Sequence, residues 1–273
     1  MPELPEVETV KETLKQKLIG KVIAGVNVYH DNIIEYPTVE EFKSQIVNQR
    51  INDMSRYGKW LIFVLDDYYL LSHLRMEGKY FFRNSLEEGN KHEHVVFTLN
   101  DGTELRYMDV RKFGKMHLIL KEEIKEKGPF LEMGLEPWDK DLTPEYLRIK
   151  YSNKRIPIKT ILLDQSIIVG IGNIYADEIL FLSNINPLLP SKDLTDNDLN
   201  NIIINTREVL EKAIKKGGTT IRSYTSVDGV HGLFQQELFV HNQLNKPCKN
   251  CRTLIIKIKV GGRGTYYCPK CQK

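Results

Sequence analysis

CKNCRTLIIKIKVGGRGTYYCPKC, residues 248–271, contains all four cysteines of the 273-residue chain. Cys248 and Cys251 form one Cys-x2-Cys pair, Cys268 and Cys271 a second, and sixteen residues separate the pairs. The spacing falls in the zinc-ribbon range. Four thiolates leave no coordination position open, so the expected Zn2+ is structural, one ion per chain. Two disulfides are the alternative, disfavoured in a cytosolic chain, and a rubredoxin-like iron site is a lesser one. Between the pairs, Gly261-Gly262-Arg263-Gly264 predicts a tight turn with positive φ, which sets Arg263 at a hairpin tip. A planar guanidinium there suits a phosphate; a solvated turn arginine is the alternative. From His241 to Lys273 there are eight Lys or Arg residues and no Asp or Glu, in a chain of net charge +3. A solvated basic tail and a phosphate-binding surface both fit that run.

Upstream of the ribbon lies a loop over 223–233, rich in Ser, Thr and Gly. Before it the pattern is helical. Helices are expected over 143–151, 159–164, 174–183 and 195–216, the last ended by Gly217-Gly218. Residues 121–140, with Gly128-Pro129 and Glu136-Pro137, read as an interdomain linker. From Lys21 to about Leu120 the chain reads as short strands. Strands over 60–65 and 68–73 flank Asp66-Asp67, and strands over 95–99 and 103–108 flank Asn100-Asp101-Gly102. Another strand covers 116–120. The chain begins with a helix over 5–18, on which Val7, Val10, Leu14 and Leu18 make one apolar stripe. Pro5 and Glu6 suit its first turn and Gly20 its stop. No run of eighteen apolar residues occurs, so no transmembrane helix is expected. MPELPEVETV has neither the basic start nor the apolar stretch of a secretory signal, which points to a cytoplasmic protein.

Pro2 carries a chemical argument of its own. Removal of Met1 before a small residue exposes a secondary amine. A terminal α-amine has a pKa near 8 against roughly 10.4 for lysine, so about a tenth of it is neutral at pH 7. A neutral amine can attack C1′ of a deoxyribose and, after ring opening, form an iminium. Glu3 adjoins it, and carboxylates near a helix start are also common as caps.

Eight segments, taken in order, extend these readings. They are MPELPEVETV (1–10), SRYGKWLIF (55–63), HLRMEG (73–78), KHEH (91–94), DVRKFG (109–114), GIGNIYADEILF (170–181), GGTTIR (217–222) and GRGTYYCPKCQ (262–272). Over nearly its whole length the chain resembles the formamidopyrimidine-DNA glycosylase (MutM) family. The resemblance implies an α+β fold. A helix-led antiparallel β-sandwich occupies 1–132, a helix-two-turn-helix domain 133–236 and a zinc ribbon 237–273. It implies excision of oxidised purines from double-stranded DNA through a Pro2 Schiff base, then β,δ-elimination at the abasic site, by a monomer with DNA in the cleft between its domains. Glu3 becomes the general acid/base, with Glu6 a helper. Lys59 binds the phosphate beside the lesion and assists proton transfer, Asn173 binds the same phosphate, and Arg263 also serves the second elimination. Phe113 wedges the stack, Met76 fills the vacated space and Arg111 meets the unpaired partner base. His92 and Lys154 match DNA contacts; a metal pair of His92 with His94 is the geometric alternative. The 223–233 loop corresponds to the damage-reading loop. The chain has His241-Asn242-Gln243 before the first zinc cysteine, where members of the family often carry Tyr-Gly-Arg or Tyr-Gly-Lys. Two rivals stand beside this reading: an endonuclease VIII-type glycosylase for oxidised pyrimidines, and a non-catalytic zinc-dependent binder of damaged DNA.

Overall fold

The apolar stripe of the first helix becomes its buried face. Helix α1 (Leu4–Leu18) has Pro5 in its first turn, and Leu4, Val7, Val10, Leu14 and Leu18 are buried. Gly20 follows at φ 84, a left-handed turn that reverses the chain into the first strand. The computed structural model describes residues 1–152, 154–219 and 232–273. It divides into two compact units, Met1–Leu131 with Thr219–Gly232, and Glu132–Gly218 with Leu233–Lys273.

The first unit is a two-sheet sandwich. Its strands are β1 (Ile23–Val28), β2 (Ile34–Tyr36), β3 (Asp53–Tyr57), β4 (Trp60–Val64), β5 (Tyr68–His73), β6 (Lys79–Asn84), β7 (Glu93–Leu99), β8 (Thr103–Met108) and β9 (Lys115–Leu120). One sheet has the order β1-β7-β8-β6 and the other β2-β9-β5-β4-β3. All pairings are antiparallel except β2 with β9. Both expected hairpins form, β4–β5 pairing Trp60 with His73 and β7–β8 pairing Phe97 with Leu105. Residues from both sheets, among them Leu61, Phe63, Leu70, Val95, Phe97, Leu105 and Tyr107, meet α1 in one core.

An unexpected helix interrupts the strands: α2 (Val39–Ile46). Its start is a capping box, Thr38 Oγ1 accepting from Glu41 N (3.3 Å) and Glu41 accepting from Thr38 N (3.1 Å). Phe42 and Ile46, four apart, are its buried face.

The second unit holds α3 (Pro144–Tyr151), α4 (Ile158–Leu162), α5 (Asn173–Leu182), α6 (Asp196–Lys215) and the ribbon strands β10 (Ile256–Val260) and β11 (Arg263–Tyr267). Helix α5 is buried on nearly every side, from Ile174 to Phe181. A helix buried on all sides is a core helix, and α6 and β11 pack against it. Gly217 and Gly218, at φ 71 and 78, end α6. Among the described residues no helix is long and apolar enough to cross a membrane.

Candidate active site and nucleic-acid interface

The N-terminal segment is held from several directions. Pro2, Glu3, Pro5 and Glu6 are all buried. Glu3 N donates to Glu6 Oε2 (2.8 Å), and Glu6 Oε1 accepts from Thr219 N (2.7 Å) and Thr219 Oγ1 (3.1 Å). Glu6 thus fixes the backbone beside Pro2, a positioning role that its sequence context alone does not reveal. Lys59 sits in the two-residue turn joining β3 and β4, beside Gly58 at φ 56, and is only 5% exposed. That turn is tied to α1 by Arg56, whose Nε donates to Glu8 Oε2 (2.8 Å) and Nη1 to Gly58 O (3.1 Å). Lys59 is therefore no solvated turn lysine. Burial lowers the Met1 α-amine below its ordinary value of 8.0; the Lys59 charge adds to this, and Glu3 and Glu6 oppose it. A lowered amine pKa enlarges the neutral, nucleophilic fraction at pH 7.

Two loops meet around one tyrosine. Met76 lies half-buried in the turn after β5, and Arg111 and Phe113 are exposed in the turn after β8, Phe113 at 49%. A Cβ on Gly78 would fall 2.3 Å from the Tyr107 hydroxyl, and one on Gly114 1.6 Å from it, so both loops close on Tyr107 because each offers a glycine there. Asp109, fully buried, organises the second loop. Its Oδ1 accepts from Arg111 N (3.0 Å), and its Oδ2 from Phe113 N (2.9 Å) and Gly114 N (2.8 Å). The Arg111 guanidinium lies over the Phe113 ring, 4.8 Å from its centroid. Polar backbone satisfied internally leaves an apolar ring and a cation outward, as a wedge requires.

Histidines brace both loops. His92, half-buried, precedes β7, and its carbonyl accepts from Asp109 N (3.0 Å). His94 is buried with Nε2 2.8 Å from Asp109 O. Among the described residues only the four cysteines cluster in threes or more as potential metal ligands, so His92 and His94 belong to no larger ligand set. His73 Nδ1 accepts from Arg75 N (2.9 Å), and its ring meets the Trp60 ring edge-on. Burial, aided by the Arg75 and Lys59 charges, lowers His73 from 6.5 to about 3. Between those values the unfolded chain binds a proton that the folded chain does not. Stability from this group is therefore complete above pH 6.5 and lost as pH falls towards 3. Acidification from pH 7 to 4.5 is expected to cost roughly 2–3 kcal/mol through His73. In denaturant titrations at both pH values, His73→Asn, which keeps the acceptor and cannot titrate, should shrink the difference by about that amount; an unchanged difference would refute the assignment.

In the second unit, Gly172 is the N-cap of α5 and Asn173 its first residue. Asn173 Nδ2 donates to Gly264 O (3.0 Å), which docks the helix start on the ribbon and leaves one amide N–H for another acceptor. Gly261 and Gly262, at φ 53 and 78, form the hairpin turn, and exposed Arg263 opens β11 opposite Val260 rather than occupying the turn itself. Lys154 is half-buried and its Nζ lies 3.5 Å from Asp164 Oδ2. Asn242 has φ 58, a conformation asparagine tolerates best after glycine, which accounts for Asn where the family has Gly. The 223–231 part of the damage-reading loop lies outside the described residues.

The four cysteine sulfurs lie within 4.8 Å of one another, with Cys248 and Cys271 3.9 Å apart and Cys251 and Cys268 3.4 Å. Zn–S bonds of about 2.3 Å in a tetrahedron put sulfurs about 3.8 Å apart. Hydrogen bonds from Thr253 lower the Cys251 thiol, while burial and the neighbouring sulfurs raise those of Cys268 and Cys271, so holding all four as thiolates calls for a bound cation. The set fits one structural Zn2+.

Residues 1–116 match the formamidopyrimidine-DNA glycosylase N-terminal domain, 133–225 the H2TH domain of the same enzyme, and 245–273 the zinc finger found in FPG and IleRS. The chain is 50% identical to formamidopyrimidine-DNA glycosylase of Oceanobacillus iheyensis, over 100% of this chain and 98% of that protein. This chain belongs to the formamidopyrimidine-DNA glycosylase family. Among solved structures of that family, a Lactococcus lactis FPG variant bound to DNA containing Fapy-dG is 37% identical, with TM-score 0.93 and 100% of both chains covered. Wild-type Lactococcus lactis FPG bound to DNA containing an oxidised pyrimidine is 36% identical, with TM-score 0.91 and the same coverage.

Proposed function

We propose that this protein excises oxidised purines from double-stranded DNA and cuts the strand at the resulting abasic site, with the Pro2 amine as nucleophile. As a family member it is a bifunctional DNA glycosylase and DNA-(apurinic or apyrimidinic site) lyase of base-excision repair. The observation that carries the residue assignment is the N-terminal segment, in which Pro2, Glu3 and Glu6 are buried behind an exposed Met1, with Glu3, Glu6 and Lys59 all acting on the α-amine charge. Met1 occupies that terminus here, and its amine stands in for the Pro2 amine of the processed chain.

In this reading the neutral Pro2 nitrogen attacks C1′, the C1′–base bond breaks, and Glu3 moves protons at the opening sugar ring. Loss of the 3′ and then the 5′ phosphate from the iminium completes β- and δ-elimination. Lys59, Asn173 and Arg263 hold phosphates, with His92 and Lys154 as further backbone contacts, Lys154 exchanging its Asp164 partner for the DNA. Zn2+ supplies no chemistry in the reaction; it holds the hairpin that bears Arg263. We further propose three parts, 1–132, 133–236 and 237–273, and a monomer working in the cytoplasm.

Phe113, Met76 and Arg111 complete the reading by occupying the gap that a flipped nucleotide leaves. An oxidised-pyrimidine preference is the second reading, favoured by the pyrimidine-lesion complex of the Lactococcus lactis relative. Single-turnover cutting distinguishes them. Duplexes with 8-oxoguanine opposite cytosine should be cut about 10–100-fold faster than the same lesion opposite adenine, the discrimination expected of a paired donor set such as Arg111. Faster cutting of thymine glycol than of 8-oxoguanine would favour the second reading.

A further inference from the structure

The second unit contains a buried polar chain that the mechanism above does not use. Lys159 and Asp177 are 0% and 1% exposed, and Lys159 Nζ donates to Asp177 Oδ1 (2.5 Å) and Asn173 O (2.8 Å). The other carboxylate oxygen, Asp177 Oδ2, lies 2.6 Å from His241 Nδ1. A carboxylate carries no proton, so Nδ1–H of His241 is the donor, which fixes the tautomer. The His241 ring also meets the Tyr266 ring of β11 edge-on at 5.1 Å. The next residue of α5, Glu178, accepts from the backbone N–H groups of Phe239 (2.8 Å), Val240 (3.0 Å) and His241 (2.9 Å).

These contacts divide the work. Glu178 holds the backbone of 239–241 whatever side chain stands at 241. The His241 ring then controls Asp177, Asp177 orients Lys159, and Lys159 holds the carbonyl of Asn173, whose amide docks on Gly264 next to Arg263. Lys159 is followed by Thr160, against which the ribbon turn packs at Gly261. We propose that His241 is a positioning residue: its ring N–H on Asp177 keeps Asn173 and the Arg263 hairpin in register for DNA. The proposal rests on the reading that Asn173 and Arg263 meet DNA.

Three variants test it. His241→Asn keeps an N–H at the Nδ1 position, His241→Gln moves the donor to the far side of the ring, and His241→Leu removes it. Affinity is measured for a duplex carrying a tetrahydrofuran abasic analogue, with zinc content alongside. The ratio of β- to β,δ-elimination product is measured on a true abasic duplex at saturating protein. That ratio counts only bound complexes, so a loss of folded protein does not move it. His241→Leu and His241→Gln should weaken binding about tenfold, as for one lost hydrogen bond to a charged group. Both should shift product towards β-elimination with one zinc retained, and His241→Asn should stay within about twofold of wild type. Wild-type affinity and product ratio in His241→Gln would overturn the proposal, and this arm decides alone if His241→Leu fails to fold. Arg263→Ala is the control: if it too leaves affinity and product ratio unchanged, the functional reading itself has failed, separately from the role of His241.

Discussion

A form of the protein that retains Met1, or carries an N-terminal tag, is expected to bind lesion DNA yet neither crosslink to it nor cut it. In such a form the Pro2 nitrogen is a tertiary amide, with no lone pair available to attack C1′. The terminal amine is displaced by one residue from Glu3 and from the Glu6 carboxylate that holds the Glu3 N–H at 2.8 Å. Loss of a nucleophile that forms the covalent intermediate typically costs more than about a thousandfold in rate. Binding should persist, because Lys59 and Arg263 are unchanged. Three measurements check this. Borohydride should trap the processed protein on 8-oxoguanine DNA and leave the Met1-retaining form untrapped. Mass spectrometry of the digested adduct should place the bond on the N-terminal peptide. Finally, trapping should rise with pH as the Pro2 amine loses its proton, since the neutral form is the reactive one. An adduct on Lys59, or normal cutting by a Met1-retaining form, would overturn the assignment.

What was legible in the sequence was what lies close together along it. The stripe of α1, the hairpins around Asp66-Asp67 and Asn100-Asp101-Gly102, and the cysteine pairs each depend on residues a few positions apart. Helix α2 was equally local. Thr38 and Glu41 spell its capping box and Phe42 and Ile46 its buried face, but the surrounding β-rich pattern masked them. The supports of the site were not legible, because their partners are distant. Glu6 finds Thr219 at a separation of 213 residues, and Glu178 finds the 239–241 backbone at 61 to 63. Asp109 was missed for a different reason. Its partners are only two to five residues away, but an aspartate before a turn reads as a turn former until its complete burial is seen. His73 shows the same limit, since only packing against Trp60 reveals that it must stay neutral.

Removal of zinc, by chelation or by Cys268→Ser, is expected to abolish tight DNA binding while leaving the N-terminal sandwich folded. The ribbon's own apolar core is small. Its buried cluster consists of Phe181, Val240, Cys248, Ile255 and Cys268, and two of these five are ligands. A core that small does not offset the conformational entropy of ordering the hairpin, and comparable ribbons fold only with metal, whose apparent binding free energy is about 10–16 kcal/mol. The sandwich core, by contrast, draws on both sheets and α1 and contains no ligand. Without the ribbon, Arg263 loses its place at the head of β11, and Asn173 loses Gly264 as the acceptor for its amide. Affinity for abasic-analogue duplex should fall by more than about a hundredfold, the loss of more than one charge-assisted contact. Metal analysis should give one zinc per chain for the wild type and far less for Cys268→Ser. Circular dichroism should retain the β-sheet signal of the sandwich in both. Full affinity in protein shown to be stripped of zinc would mean that the hairpin stands without its ion, and the structural role assigned to the four cysteines would have to be abandoned.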